Sequence, residues 1–173
     1  FCKLPARDVI SWTSLICGYM EHGYSEEALG YLEQMEHDFI CPNSVSFVCG
    51  LKACASVGFS DRGKLLHSEI VRKGFEREGV IGNALIDMYV KCGNLVEGWD
   101  TLNTIHPEDV VSWNALISGY AQHCEYKLAQ ECLQAMQSQG LKPDSTTYIS
   151  ILAACSHVGT VEDGHWCFTS HQM

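Results

Sequence analysis

No stretch of this 173-residue chain approaches the roughly 20 consecutive apolar residues that a membrane-spanning helix requires, so no membrane partner is expected. Positive charge is scarce: 11 Lys and Arg stand against 21 Asp and Glu, a formal net charge of −10. Such a surface does not grip phosphate by bulk electrostatics, which removes DNA from the expected partners. Any nucleic-acid role must use local geometry and a few cations. Gly-rich phosphate loops and nucleophile motifs are missing, so neither an enzyme activity nor a cofactor is expected. There is no signal or transit peptide at Phe1, and the chain starts inside a pattern rather than at a Met. It reads as a piece of a longer polypeptide, so the missing leader says little about location.

Ten cysteines are present, yet none are spaced as C-x-x-C. Cys17, Cys54, Cys132 and Cys155 lie among apolar neighbours. Free buried cysteine behaves as a small hydrophobe, so a reduced interior is expected and secretion is not. With 46% apolar and 18% charged residues, the chain can bury a substantial core.

What the sequence does contain is itself, twice. "DVISWTSLICGYM" (Asp8–Met20) returns as "DVVSWNALISGYA" (Asp109–Ala121), 101 residues later. The same offset pairs Met35 with Met136, Pro42 with Pro143, Gly63 with Gly164, and "KACASVG" with "AACSHVG". Matches spread over most of the unit make this a repeat protein. A shorter period lies inside it. Trp12, Phe47, Gly82, Trp113 and Tyr148 follow one another at steps of 35, 35, 31 and 35. Gly23, Gly58, Gly93 and Gly159 recur eleven places after these, with Cys124 as the exception. The blocks are therefore 9–43, 44–78, 79–109, 110–144 and an incomplete 145–173, preceded by a tail at 1–8.

Each block predicts two helices. Trp12, Leu15, Ile16 and Tyr19 share one helical face, as do Ala28, Tyr31, Leu32 and Met35. Block four repeats this with Trp113, Leu116, Ile117 and Tyr120, then Ala129, Cys132, Leu133 and Met136. Asp8 is a plausible N-cap, Gly23 suits a left-handed helix end, and Ser25 can cap the second helix. Pro42 closes the block. Neither helix of a hairpin can bury its stripe alone, so the expected fold is all-α: an α-solenoid of helix-turn-helix repeats forming a right-handed superhelix.

The phrases "VSWNALISGYAQ", "LKACASVG", "GNALIDMYVKCG" and "GLKPD" strongly resemble the pentatricopeptide repeat (PPR) family, in particular its plant PLS subclass. Blocks one and four look like that subclass's ordinary motifs, two and five like long variants, and three like a short variant. The tail "FCKLPARD" looks like the end of a preceding short motif. Cys124 for Gly, Asp38-Phe39 where a Gly usually ends the second helix, and Gly98 where Ala usually packs depart from the pattern. A helical Gly costs roughly 1 kcal/mol against Ala.

The resemblance implies an organellar protein, of mitochondrion or chloroplast, that binds single-stranded RNA one base per repeat. It also implies a role in C-to-U editing or RNA processing, with other editing-complex proteins as possible partners. Many PLS proteins edit through a C-terminal deaminase-like extension. "LAACSHVGTVEDGHWCF" resembles the long motif that often precedes that extension, which does not occur within these residues.

A helical residue one step past Trp12 is turned by about 100°, so Thr13 is expected to leave the core stripe and face the groove of first helices. The resemblance implies that block position 5 and the last residue of the block read a base together. Those pairs are Thr13/Asn43, Val48/Glu78, Asn83/Asp109 and Asn114/Asp144, with Ile149 in block five. By the family code, Thr with Asn implies adenine and Asn with Asp implies uracil, then cytosine. Val48 and Ile149 offer no hydrogen-bonding group, so their blocks are expected to space rather than discriminate. Position 2, implied to sandwich the bases, is Ile10, Val45, Val80, Val111 and Thr146. Four of these are stiff β-branched aliphatics. Lys91 is the candidate phosphate contact. Arg62, Lys64, Arg72, Lys73 and Arg77 fall on a second helix and read as a solvated face.

Two metal-like features carry little. "HSE" (His67–Glu69) matches half of a zinc-deaminase signature, but no downstream P-C-x-x-C completes it. His165, Cys167 and His171 lack a convincing fourth ligand. No metal is expected. The alternative to RNA binding is a protein- or peptide-binding scaffold using the same groove; the polar recurrence at position 5 favours RNA.

Overall fold

A computed structural model describes residues 8–76, 78–105 and 110–158. Among the described residues the secondary structure is helical throughout. Two compact units divide the chain, Phe1–Asn94 and Leu95–Met173. The first holds α1 (Val9–Glu21), α2 (Ser25–His37), α3 (Ser44–Val57), α4 (Ser60–Lys73) and α5 (Gly79–Lys91). The second holds α6 (Leu95–Ile105), α7 (Val110–Gln122), α8 (Tyr126–Ser138) and α9 (Ser145–Val158). This is the all-α helical-repeat solenoid that the 3.6-residue stripes predict.

In the first unit α1 packs against both its hairpin partner α2 and the next first helix, α3; α3 in turn packs on α5. The second unit repeats the scheme, with α7 against α8 and α9. The apolar stripes explain the arrangement. Trp12, Ile16, Ala28, Leu32, Met35 and Phe47 are fully buried in one continuous core. Trp113, Leu116, Ile117, Ala129, Cys132 and Met136 are fully buried in the other unit. Burying an aliphatic side chain contributes about 1.5–3 kcal/mol, so shared stripes, rather than helix propensity, hold neighbouring hairpins together.

Two details depart from the periodic pattern. Leu15 and Tyr19 are half-buried, whereas their counterparts Leu116 and Tyr120 are buried. Ser25 does not cap α2. Tyr24 occupies the cap position without a side-chain bond, and Ser25 lies buried in the first turn, accepting a hydrogen bond from Ser56 Oγ at 2.7 Å. The connection after Gly23 is too short to leave Ser25 outside the helix.

The departures in Gly usage are absorbed by the backbone. Cys124 and Phe39 adopt positive φ, 60° and 58°, where Gly23 and Gly140 take 81° and 80°. Gly63 leaves room for Met88: a Cβ there would lie 2.4 Å from Met88 Sδ, so the flexible Met side chain would have to move aside. The cysteines among the described residues are free thiols. Burial pushes the Cys54 thiol up to about 11 and that of Cys132 up to about 12, so both stay protonated.

Candidate functional site

The starts of the first helices build the site. Asn43 has extended backbone (φ −95°, ψ 178°) and its side chain accepts from Ser46 N–H at 2.8 Å, an N-cap that begins α3. Capping turns the Asn43 side chain toward α1, the first helix of the preceding block. There Ser46 Oγ donates to Asn43 Oδ1 at 2.9 Å and lies 2.7 Å from Thr13 Oγ1. Thr13 Oγ1 donates to its own helix at Val9 O, 2.6 Å away, and is 3.5 Å from Asn43 Oδ1. Position 5, the last residue of the block and position 3 of the next block therefore meet.

The same constellation stands 101 residues on. Asp144 accepts from Thr147 N–H at 2.9 Å at the start of α9, and its own N–H donates to Thr147 Oγ1 at 3.1 Å. Asn114 Nδ2 donates to Asp144 Oδ1 at 3.0 Å, and Thr147 Oγ1 donates to Asn114 Oδ1 at 2.6 Å. The Thr147 backbone N–H, with the Asn114 and Thr147 side chains, holds the Asp144 carboxyl below its ordinary value.

The position-5 residues are less open than a simple 100° turn implies. Thr13 is 8% exposed and Asn114 9%, because the next block's first helix leans over them. Val48 is half-buried and packed against the core, and its partner Glu78 makes no cap bond. Asn83 is half-buried, Ile149 exposed; Asp109 lies outside the described residues. Ser46 and Thr147 were not anticipated. Their signal was a hydroxyl at block position 3, present as Ser11, Ser46, Ser112 and Thr147 and replaced by Ile81 only in the short block.

Beside these polar groups, in each unit, stand exposed apolar side chains. Ile10 is 69% exposed, Val45 52%, Val80 70% and Val111 62%; Thr146 is also exposed. Isolated exposed aliphatics are ordinary. One at the same register of four of the five blocks, always in the first turn of a first helix, is a pattern.

The remaining candidates are accounted for by neighbours. Lys91 Nζ is 2.8 Å from Asp87 Oδ2 on its own helix, with more than half of its side chain exposed. In the basic cluster, Arg62 pairs with Glu33 at 3.0 Å and Arg72 with Glu69 at 3.0 Å; Arg77 lies outside the described residues. His67 Nδ1 is 2.8 Å from Tyr89 Oη, and burial lowers its pKa, as packing between hairpins requires. Residues 165, 167 and 171 also lie outside the described residues.

Residues 7–56 and 108–157 match the PPR repeat family, and residues 83–105 match the PPR repeat. The pentatricopeptide repeat-containing protein At2g33680 of Arabidopsis thaliana is 41% identical over 168 residues, 97% of this chain and 23% of the relative. The chloroplastic protein CRR2 of the same plant is 40% identical over 170 residues, 97% of this chain and 26% of the relative. This chain thus spans about a quarter of the length of these relatives. In three dimensions it is similar to the pentatricopeptide repeat protein PPR10 from maize, with a TM-score of 0.78 at 24% identity over 96% of this chain and 24% of that one. PPR10 in complex with an 18-nt psaJ RNA element gives a TM-score of 0.77 at 17% identity, over 94% of this chain and 24% of that one.

Proposed function

Because the chain belongs to the PPR repeat family, we propose that it binds single-stranded RNA through the starts of its first helices. The observation that supports this reading most is the coupling of exposed aliphatics at position 2 with hydrogen-bonded polar pairs at position 5 and the block's end. Flat, stiff side chains suit the faces of unstacked bases, and amides, hydroxyls and carboxylates suit their edges. The RNA-bound structure of PPR10 is a second support.

In this proposal the blocks 9–43, 44–78, 79–109 and 110–144 each take one base. Thr13 with Asn43 selects adenine, while Asn83 with Asp109, and Asn114 with Asp144, select uracil. Val48 with Glu78, and Ile149 in the incomplete block 145–173, act as spacers. Ile10, Val45, Val80, Val111 and Thr146 separate the bases, and Lys91 exchanges Asp87 for a phosphate. The segment is a recognition element without chemistry of its own. It belongs to a PLS-subclass factor for organellar RNA editing or processing, and partner proteins of an editing complex supply the reaction. Chloroplast labels on relatives such as CRR2 support an organellar site of action.

The test is competitive binding of the full chain to short RNAs that carry A, any base, U, U from 5′ to 3′, each position varied in turn at one salt concentration. The proposal expects discrimination at the first, third and fourth bases and none at the second. Equal binding to all sequences, or no RNA affinity with a tight peptide ligand instead, would contradict it.

A further inference from the structure

The base-reading pair is held by a third residue that belongs to the next block. Thr147 carries one hydroxyl hydrogen, and its shortest acceptor is Asn114 Oδ1 at 2.6 Å, against 3.1 Å to Asp144 Oδ1. Asn114 Nδ2 meanwhile donates to Asp144 Oδ1. The Asn114 amide is thus fixed from both ends. Reversing it would point its oxygen at the Asp144 carboxylate and leave the Thr147 hydroxyl without its nearest acceptor. Thr147 itself is fully buried, so water does not replace that bond cheaply. In the fixed orientation, one Nδ2 hydrogen and one Oδ1 lone pair of Asn114 remain for an outside group.

Block one uses the same device with different chemistry. Ser46, also fully buried, sits 2.7 Å from Thr13 Oγ1 and 2.9 Å from Asn43 Oδ1, so it bridges the pair and occupies one side of the Thr13 oxygen, whose own hydrogen goes to Val9 O at 2.6 Å. The register carries through the whole sequence. Position 5 of one block and position 3 of the next are Thr13 with Ser46, Val48 with Ile81, Asn83 with Ser112, and Asn114 with Thr147. Among these four pairs polar goes with polar, and apolar Val48 is followed by apolar Ile81. The position-3 hydroxyl also closes the cap, accepting the N-cap N–H at Ser11 and at Thr147, but the Thr147 hydrogen is left over and goes to Asn114 Oδ1, which capping does not require.

Resting on the base-reading proposal above, we infer that Ser46 and Thr147, the position-3 side chains of blocks two and five, are positioning residues that set base discrimination in the block before each. Ser46 and Thr147 never touch the base. Thr147 decides which donor and acceptor Asn114 presents, and Ser46 takes up one side of the Thr13 oxygen. Specificity is therefore a property of a junction between repeats, not of one repeat.

The experiment compares the full chain with Thr147→Val and Thr147→Ser. Val keeps the shape and the backbone N–H that caps α9 but removes the hydroxyl; Ser keeps the hydroxyl and removes the methyl. One hydrogen bond corresponds to about threefold to tenfold in an equilibrium. Thr147→Val is expected to lower the preference for uracil over the other bases at the fourth position by about that factor. Discrimination at the first position should not move, and Thr147→Ser should rank the bases as the parent does. Ser46→Ala is the second variant, expected to weaken the first-position preference while leaving the fourth intact. A Val variant with the parent's ratios, or a Ser variant that loses them equally, would overturn the inference while the base-reading proposal stood. A parent protein with no preference at the fourth base would instead overturn both.

Discussion

Thr13 and Asn114 occupy the same register in two copies of one phrase, yet they sit in chemically different company. Around Thr13 every partner is neutral: Asn43, Ser46 and the carbonyl of Val9. Around Asn114 the cap is a carboxylate, Asp144, and the amide donates to it. The backbone frame is common to both, an N-cap on the following first helix with a buried hydroxyl one turn in. What differs is the pattern of donors and acceptors left at the edge. A repeat array can hold its fold constant and vary its chemistry because the apolar stripe and the polar cap lie on different faces of the same helix.

The packing of the two blocks also differs, and the largest effects are expected there. Leu116 is fully buried, and α6 packs against α7. Leu15 is only half-buried, and no helix precedes α1 among the described residues. Trp113→Ala should destabilise its unit by about 3–5 kcal/mol and Leu116→Ala by about 2–5 kcal/mol. Leu15→Ala should cost about half as much as Leu116→Ala. Denaturant unfolding of the three variants checks this, and equal losses for the two leucines would dissolve the distinction.

A smaller contrast lies in the left-handed residues. Block one places Gly23 and Phe39 at its two helix ends, while block four places Cys124 and Gly140 there, so each block has one strained non-glycine. Left-handed backbone costs an L-residue about 1–2 kcal/mol. Cys124→Gly and Phe39→Gly should each stabilise by about 1 kcal/mol, and Gly23→Ala should destabilise by a similar amount. Thermal unfolding midpoints decide the signs.

The smallest effect separates the caps by pH. The folded-state pKa of Asp144 lies below its ordinary 3.8, held there first by the Thr147 backbone N–H. A depressed carboxyl contributes stability that is full above its unfolded pKa and is lost as pH falls through the folded value. Asn43 does not titrate. The stability difference between the parent and Asp144→Asn should therefore be constant above about pH 5 and shrink on acidification below 3.8. An unchanging difference down to pH 2 would mean that the Asp144 charge does no capping.

The helices and most of their ends were legible because their causes are local. Asp8 caps α1 through Ser11, and Gly23 takes positive φ, as residue type and spacing imply. Burial was legible only where periodicity decides it. Leu15 and Leu116 lie in the same apolar pattern, between Trp12 or Trp113 and Tyr19 or Tyr120, so the stripe alone does not distinguish what lies alongside them. The partial burial of Thr13 and Asn114 depends on Ser46 and Thr147, 33 residues away. That distance is one block forward, and a reading confined to single blocks passes over it. Ser25 was misread because a hydroxyl before a helical stripe suits a cap, and the tight connection had already placed it inside the helix.

The central claim is that Asn114 and Asp144 jointly choose a base. Its most direct test is Asn114→Thr, which leaves the apolar stripe of α7 intact and exchanges an amide for a hydroxyl. By the family code, Thr with Asp prefers guanine where Asn with Asp prefers uracil. A well-made base contact discriminates by about 1–3 kcal/mol, a scale taken from paired contacts to DNA bases. Competitive binding of parent and variant to RNAs differing only at the fourth base should therefore show the preference moving from uracil to guanine by about tenfold or more. If both proteins rank the four bases identically, this pair does not read RNA.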